Sequence, residues 1–196
     1  MKYLKKLPGE KIYLSPISVE DAEQYCQWIN NLEISKYLLF ANQQIGVYKE
    51  QKILTQLLEQ GAQIFAIVEN ETNTLLGNCS LFNFDSHNSS AELGIFIGSE
   101  KHLGKGYGTE AINLLLDYGF NILNLNNVML DVYSYNTRAI KSYLKCGFKF
   151  IGRRREAKMI GGKKFDQIFM DILANEFTGS TLKIDLKTLK DENVDG

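Results

Sequence analysis

Proline and cysteine are both scarce: the 196-residue chain has two prolines and three cysteines. With so little proline, no linker is rich enough to divide the chain. Cys26, Cys79 and Cys146 are far apart, odd in number and never in C-x-x-C spacing. That pattern argues against a disulfide framework or a zinc site, and for buried free thiols in a reducing cytosol. An excess of either charge is missing too, with 22 Lys and Arg against 23 Asp and Glu. No broad field therefore favours nucleic acid or an anionic membrane, and any anion site must be local. No apolar run approaches the length of a membrane span. The start, MKYLKKLPGEK, is basic but has no apolar stretch behind it, which excludes a signal peptide. His87 and His102 lie in polar loops without a partner at metal spacing; both are expected at the surface, and no metal site is expected. The expectation is a soluble cytoplasmic protein with no nucleic-acid or membrane partner.

What is present suits one domain. Hydrophobic residues make up 44% and charged residues 23%, and the length allows a substantial core. Lys11 to Ile17 alternates and stops at Pro16, predicting a first strand. Ser18 caps a helix with Glu20 and Asp21 in its first turn and Ala22, Tyr25, Cys26 and Ile29 on its inner face. A second helix runs from about Tyr48 to Gln60, with Ile53, Leu54, Leu57 and Leu58 as its stripe and Gly61 at its end. QIFAIVE, TLLGNCSLFNF and SAELGIFIG are β-rich runs separated by turn chemistry, which predicts an antiparallel meander.

A glycine run, KHLGKGYG, then leads into a helix from about Tyr107 to Leu123 with a stripe of Ile112, Leu115, Leu116, Gly119 and Ile122. Val128 to Tyr133 is a strand, and Asn136 to Cys146 a helix closed by Gly147. A final hairpin turns at Gly161 and Gly162. Arg153, Arg154 and Arg155 alternate faces there, so at most two act together. Residues 178–196 form a polar extension, with a short element at Leu182 to Leu186 as its one structured option. The fold class is α+β (mixed α/β): a single domain over 1–177, antiparallel pairing first and a strand–helix–strand crossover in the middle.

The glycine run follows a strand (Ala91 to Gly98) and opens a helix, where unpaired N–H groups and the helix dipole favour an anion. Gly104, Gly106 and Gly108 let the backbone approach without Cβ clashes. A Walker loop fails, because Gly106 follows Lys105 where Ser or Thr is required. A dinucleotide fingerprint needs G-x-G-x-x-G straight after the strand, and the spacing here is G-x-G-x-G after a gap. A turn that merely starts a helix stays open on these residues alone.

The order AELGIFIG, LGKGYGTEA and VYSYNTRAIKSYLKCGF resembles the GNAT N-acetyltransferase superfamily over roughly residues 10 to 173. Its most specific parts are the glycine run and N-x-x-A-x-x-x-Y-x-x-x-G-F at Asn136 to Phe148. The family's loop is Q/R-x-x-G-x-G/A, and Leu103 stands here where Gln or Arg is usual. The resemblance implies a central mixed, mostly antiparallel sheet flanked by helices, with a splayed parallel pair at Ala91–Gly98 and Val128–Tyr133. It implies acetyl-CoA as acyl donor, its pyrophosphate held by Leu103, Gly104, Lys105, Gly106, Tyr107, Gly108 and Thr109. Its pantetheine arm would run along the backbone of Ile95, Phe96 and Ile97, one N–H there polarising the thioester carbonyl.

Asn136 and Tyr143 lie two helical turns apart, about 10 Å along the axis and on nearly one face. By the resemblance Asn136 meets the pantetheine amides, while on sequence grounds it equally reads as a helix cap. Tyr143 is implied as the general acid for the leaving thiolate, against half-buried core packing. Glu92 is the candidate base that neutralises the amine, against a solvent-facing or salt-bridged strand residue. Asp131 sits mid-strand, which argues against a ribose-binding role. The early segment and FDQIFMDIL look most like the ribosomal-protein N-terminus and spermidine acetyltransferase branches.

The expected activity is transfer of the acetyl group of acetyl-CoA directly to a primary amine: a protein N-terminus, a polyamine or a small-molecule amine. The other readings are a CoA-binding regulatory module without turnover and a dinucleotide-binding oxidoreductase. The acceptor is expected to meet the region from about Asp21 to Gln60 and the final hairpin. Glu20, Glu23, Glu33 and Glu50 there either greet a cationic amine or are simply solvated. A homodimer is the candidate assembly.

Overall fold

β-Branched and aromatic residues crowd the segments that pair, and the turns between them carry Gly, Asn and Asp, so the chain forms strands where burial rewards alternation. The computed structural model describes residues 2–38 and 43–179. Its strands are β1 (Leu7–Pro8), β2 (Ile12–Pro16), β3 (Gln63–Glu69), β4 (Leu75–Asp85), β5 (Ser90–Ile97), β6 (Asn127–Tyr133), β7 (Lys149–Ile160) and β8 (Lys163–Leu173). Its helices are α1 (Ala22–Ile29), α2 (Leu32–Ser35), α3 (Val47–Glu59), α4 (Tyr107–Asn121) and α5 (Thr137–Lys145). The strands form one eight-stranded sheet in the order β1-β2-β3-β4-β5-β6-β8-β7. Every neighbouring pair is antiparallel except β5 with β6. The mixed, mostly antiparallel sheet expected from the sequence is therefore present. The extension beyond residue 179, including Leu182 to Leu186, lies outside the described residues.

The main core lies between the sheet and α4 with α5, where Leu14, Ile67, Leu81, Val128 and Ile172 meet Ala111, Leu115 and Phe148. A smaller core holds α1 and α3 against the sheet through Tyr25, Cys26, Ile29, Ile45 and Leu54. Ser18 accepts from Glu20 N, as a cap should, but the chain first makes a 3-10 turn and α1 begins at Ala22. The inner face Ala22, Tyr25, Cys26 and Ile29 is buried as expected.

Two expectations need correction. Leu58 is 41% exposed, because α3 packs chiefly on α1 and buries only Glu50 and Leu54. Ile122, expected on the inner stripe of α4, is also 41% exposed, because the helix stops at Asn121. The sequence reading also lacked β1 and α2, which are too short to show periodicity. The turn of the last hairpin has Gly161 at φ 56° and Gly162 at φ 77°, the paired left-handed conformation that a two-residue hairpin requires.

Candidate active site

β5 and β6 are hydrogen-bonded in register only at Ser90–Asn127, Ala91–Val128 and Glu92–Met129. Beyond Glu92 they part. From Leu93 to Ile97, β5 keeps its partner β4, and β6 keeps β8 on its far side. The edges facing each other across the gap therefore carry backbone groups without a ladder partner. A cavity of about 850 Å³ occupies this gap, walled by Leu93 to Ile97 on one side and Asp131, Val132 and Tyr133 on the other.

One end of the cavity is closed by the glycine run. A 3-10 turn, Glu100–His102, leads from β5, and Gly104 then takes φ 75° and Gly106 φ 90°. These left-handed residues turn the chain into the first turn of α4, which starts at Tyr107. The N–H groups of Gly104, Lys105 and Gly106 donate to no carbonyl among the described residues. Together with the helix N-terminus they form an anion cradle. The space is there as well, since a Cβ on Gly104 would meet nothing within 4 Å.

α5 supplies the third wall. Asn136 is its N-cap, its Oδ1 accepting from Ala139 N at 3.3 Å, so the capping reading is realised. The residue also borders the cavity. Two turns on, Tyr143 lines the cavity with only 7% of its surface exposed. Its ring meets Phe148 edge-on at 5.9 Å. Burial pushes the phenol well above its ordinary value, and the carboxylate of Asp131 pushes in the same direction. Asp131 itself accepts from Gln167 Nε2 at 2.7 Å.

The cavity thus brings together Ile95, Phe96, Ile97, Leu103, Gly104, Gly106, Tyr107, Gly108, Thr109, Asn136 and Tyr143. Two of the residues picked from sequence are not on its wall. Lys105 is exposed beside the loop. Glu92 sits at the last parallel pair, between the lining residues Leu93 and Phe82 but not itself among them, and its carboxylate accepts from Asn83 Nδ2 at 3.0 Å. His102 corrects an expectation: it is half-buried rather than on the surface, its ring 6.4 Å from that of Tyr107, and it lines the cavity. His87 is exposed.

Sequence reasoning missed the cations of α5. Arg138, Lys141 and Lys145 all border the cavity, and no local motif marks them. Across from α5, Glu33 of α2 and Glu50 of α3 line it too, whereas Glu20 and Glu23 do not. Glu33 is ion-paired with Lys36. Glu50 is 5% exposed and has no hydrogen-bond or ion-pair partner among the described residues. Burial raises its carboxyl pKa. The arrangement suits a long ligand, with an anionic head on the glycine loop and an amide-bearing body along a strand edge. Its reactive end would lie near a tyrosine hydroxyl.

Comparison with known proteins agrees with this geometry. Residues 11–149 match the acetyltransferase (GNAT) domain. An uncharacterized N-acetyltransferase, p20, of Bacillus licheniformis is 32% identical over 179 residues, covering 90% of this chain and all of that protein. A putative ribosomal N-acetyltransferase of Bacillus subtilis is 29% identical, covering 87% of this chain and 96% of its own. Among solved structures, spermidine N-acetyltransferase from Vibrio cholerae in complex with CoA and spermine superposes with a TM-score of 0.78. It is 26% identical, over 86% of this chain and 99% of that one.

Proposed function

This chain belongs to the GNAT acetyltransferase family and transfers the acetyl group of acetyl-CoA to an amine; from that premise we propose that the acceptor is a cationic primary amine of the polyamine class, acetylated by direct attack on the thioester. The observation that carries this reading is Glu50, a buried carboxylate on α3 with no partner among the described residues, lining the same cavity as Lys141 and Lys145 of α5. Glu33 is held by Lys36, and Arg138 stacks on Tyr37 beside that pair, so neither marks a wall of one sign. An anionic donor would meet the lysines and a cationic acceptor Glu50. The named relatives include spermidine acetyltransferases beside a putative ribosomal N-acetyltransferase, so the choice of a polyamine rests on Glu50.

Acetyl-CoA supplies an acyl group already activated as a thioester. The residues of this chain hold and orient it. The backbone amides of Gly104 to Gly108 take the pyrophosphate, with Thr109 and Tyr107 in the same first turn. The edge of Ile95, Phe96 and Ile97 offers ladder groups to the pantetheine arm, and an N–H there is placed to stabilise the oxyanion. With Asn136 Oδ1 engaged by the helix cap, its Nδ2 is the donor left for an amide of that arm. Tyr143 keeps its proton through the neutral range and gives it to the leaving thiolate. Glu92, bonded to Asn83 and not among the lining residues, is left out of this mechanism. Glu50, buried on the cavity wall, is the carboxylate proposed to hold the polyamine through one of its ammonium groups, while the attacking nitrogen meets the thioester as the neutral amine. As the C–N bond forms and the C–S bond breaks, the proton shed by that nitrogen replaces the one Tyr143 gives to sulfur, so the products are the acetamide, CoA thiol and a restored phenol.

The three cysteines are free and buried, which supports a reducing compartment, and the cytoplasm is proposed. The outer strand β7 exposes Phe150 and Ile151, at 57% and 53%, and supports a homodimer as the assembly.

The experiment is a thiol-release assay with acetyl-CoA over spermidine, spermine, N-terminal peptides and amino sugars. Turnover is expected with the polyamines and to fall when Glu50 is changed to Gln. Turnover confined to peptides or sugars would overturn the acceptor while leaving the acetyltransferase activity intact.

A further inference from the structure

The turn between β1 and β2 reaches the glycine loop from the other end of the sequence. It is tightly built: Gly9 N–H donates to Ile12 O at 2.9 Å. Asn70 Nδ2 gathers the carbonyls of Gly9 and Glu10 at 3.0 and 2.9 Å. On its other side, the N–H groups of Glu10 and Lys11 donate to the Glu110 carboxylate at 2.5 and 3.0 Å. Glu110 belongs to the first turn of α4, so the turn is fixed to the helix whose N-terminus forms the anion cradle.

From this platform Lys11 Nζ donates to the carbonyl of Lys105 at 3.1 Å, across 94 residues of sequence. The same nitrogen lies 3.6 Å from the point a Cβ on Gly106 would occupy. Among the described residues, no carboxylate is within ion-pair distance of that ammonium.

A trans peptide is planar, with its C=O and N–H pointing in opposite directions. Holding the Lys105 carbonyl therefore also sets the direction of the Gly106 N–H, which donates to no carbonyl among the described residues. Gly106, at φ 90°, borders this peptide on one side, and Gly104, one residue before Lys105, is also at positive φ. Without an anchor, such a peptide plane rotates easily, and ordering it would be charged against ligand binding. The ammonium also draws electron density through the carbonyl and sharpens the N–H as a donor. Leu103, where the family usually carries Gln or Arg, has no donor to offer.

We propose that Lys11 is a positioning residue for the CoA pyrophosphate, holding the Lys105–Gly106 peptide from behind with its N–H turned to the phosphate. This rests on the acetyl-CoA reading of the site. The wild-type protein, titrated alongside, separates a failure of that reading from a failure of this one.

The test compares wild type, Lys11→Met and Lys11→Arg by calorimetric titration with CoA and with dephospho-CoA, and by amide NMR of the free protein. Lys11→Met is expected to raise Kd about tenfold for both ligands, the size of one charge-assisted hydrogen bond. It should lower Tm by only a few degrees, as the loss of one such bond does in a chain of this size, and shift the Gly106 amide resonance before any ligand is added. Lys11→Arg, which retains a charged donor, should restore both Kd and the resonance. An unchanged Kd or an unmoved Gly106 resonance overturns the proposal. So does a loss seen with CoA but not dephospho-CoA, which would place Lys11 at the 3′-phosphate. A shallower salt dependence of Kd in Lys11→Met also overturns it, because the ammonium would then be meeting the phosphate directly.

Discussion

The indole of Trp28 stands in the space a Cβ on Gly98 would need, with ring carbons 2.0 to 2.3 Å from that point. Trp28 lies on α1 and Gly98 just after β5, and the indole also meets Phe96 edge-on at 6.0 Å and Tyr25 at 5.8 Å. The three rings seat α1 on the strand just where the strand opens onto the cavity. Gly98→Ala is expected to cost about 1–3 kcal/mol, the usual penalty for overpacking, and to alter the near-ultraviolet dichroism of the single tryptophan. Trp28→Phe in the same background should recover part of the loss. A Gly98→Ala protein that melts with wild type would show that the indole moves aside freely.

Tyr143→Phe keeps the ring against Phe148 and removes only the hydroxyl. If that hydroxyl protonates the thiolate, kcat should fall on the order of 10²-fold while Kd for CoA and Tm hold. Single-turnover rates are the measure, since slow product release would mask the step. Because burial raises the phenol pKa above its ordinary value of 10.0, no loss of rate from its deprotonation is expected below pH 10. An alkaline limb near neutrality that vanishes in Tyr143→Phe would contradict this assignment, as would an unchanged single-turnover rate.

Gly106 sits at φ 90°, and the nearest atom to a Cβ there is Lys11 Nζ at 3.6 Å. The obstacle to substitution is conformation rather than space. Gly106→Val should lower stability by about 1–2 kcal/mol and raise Kd for CoA more than tenfold. Gly106→Asn, which tolerates the left-handed region, should keep more of both. Equal damage from the two would mean that any Cβ blocks the phosphate. Lys105→Ala, on an exposed side chain, should matter less than either.

For Glu50 the sign follows from burial. Its pKa is raised in the folded protein, so the folded state binds the proton more tightly than the unfolded chain. Stability therefore falls as pH rises from the unfolded value toward the folded one, and the cost stays in place above it. Glu50→Gln should melt higher than wild type at pH 7, with the gap closing below about pH 4, yet show a raised KM for a polyamine. Should the variant melt lower at pH 7, the carboxylate has a partner that stabilises it.

Much of this was legible because the signals are local. β3, β4 and β5 are β-rich runs between Asn- and Asp-rich turns, and Gly161–Gly162 marks its own hairpin. Asn136 to Gly147 announces both ends of α5. α4 was harder, because Ala111, Leu114, Tyr118 and Phe120 are buried beyond the expected stripe, and a helix covered on most sides has no clean face. The contribution of Lys11, the half-burial of His102 and the cations of α5 depend on neighbours distant in sequence. Glu92 shows the limit on a strand: it shares a face with Gly94 and Phe96, which line the cavity, but it stands at the last rung before β5 and β6 part, a point the local sequence does not mark.

The gap between β5 and β6 has a consequence for solubility. Unpaired strand edges at the rim of a sheet invite other chains, and proteins blunt them with charge and irregularity. The outer strand β7 has both, with Arg153 to Arg155 along it and register shifts at Phe150/Gly152 and Arg154/Lys158. The unpaired stretch Leu93 to Ile97 has neither, and it is rich in isoleucine and phenylalanine. It is instead an edge in the middle of a sheet, with β4 on one flank, β6 and β8 across the gap, and α5 beside it. A slender extended molecule fits there and a second folded protein does not. The sheet can thus leave a sticky, strand-like surface open for its acyl donor without presenting a seed for aggregation.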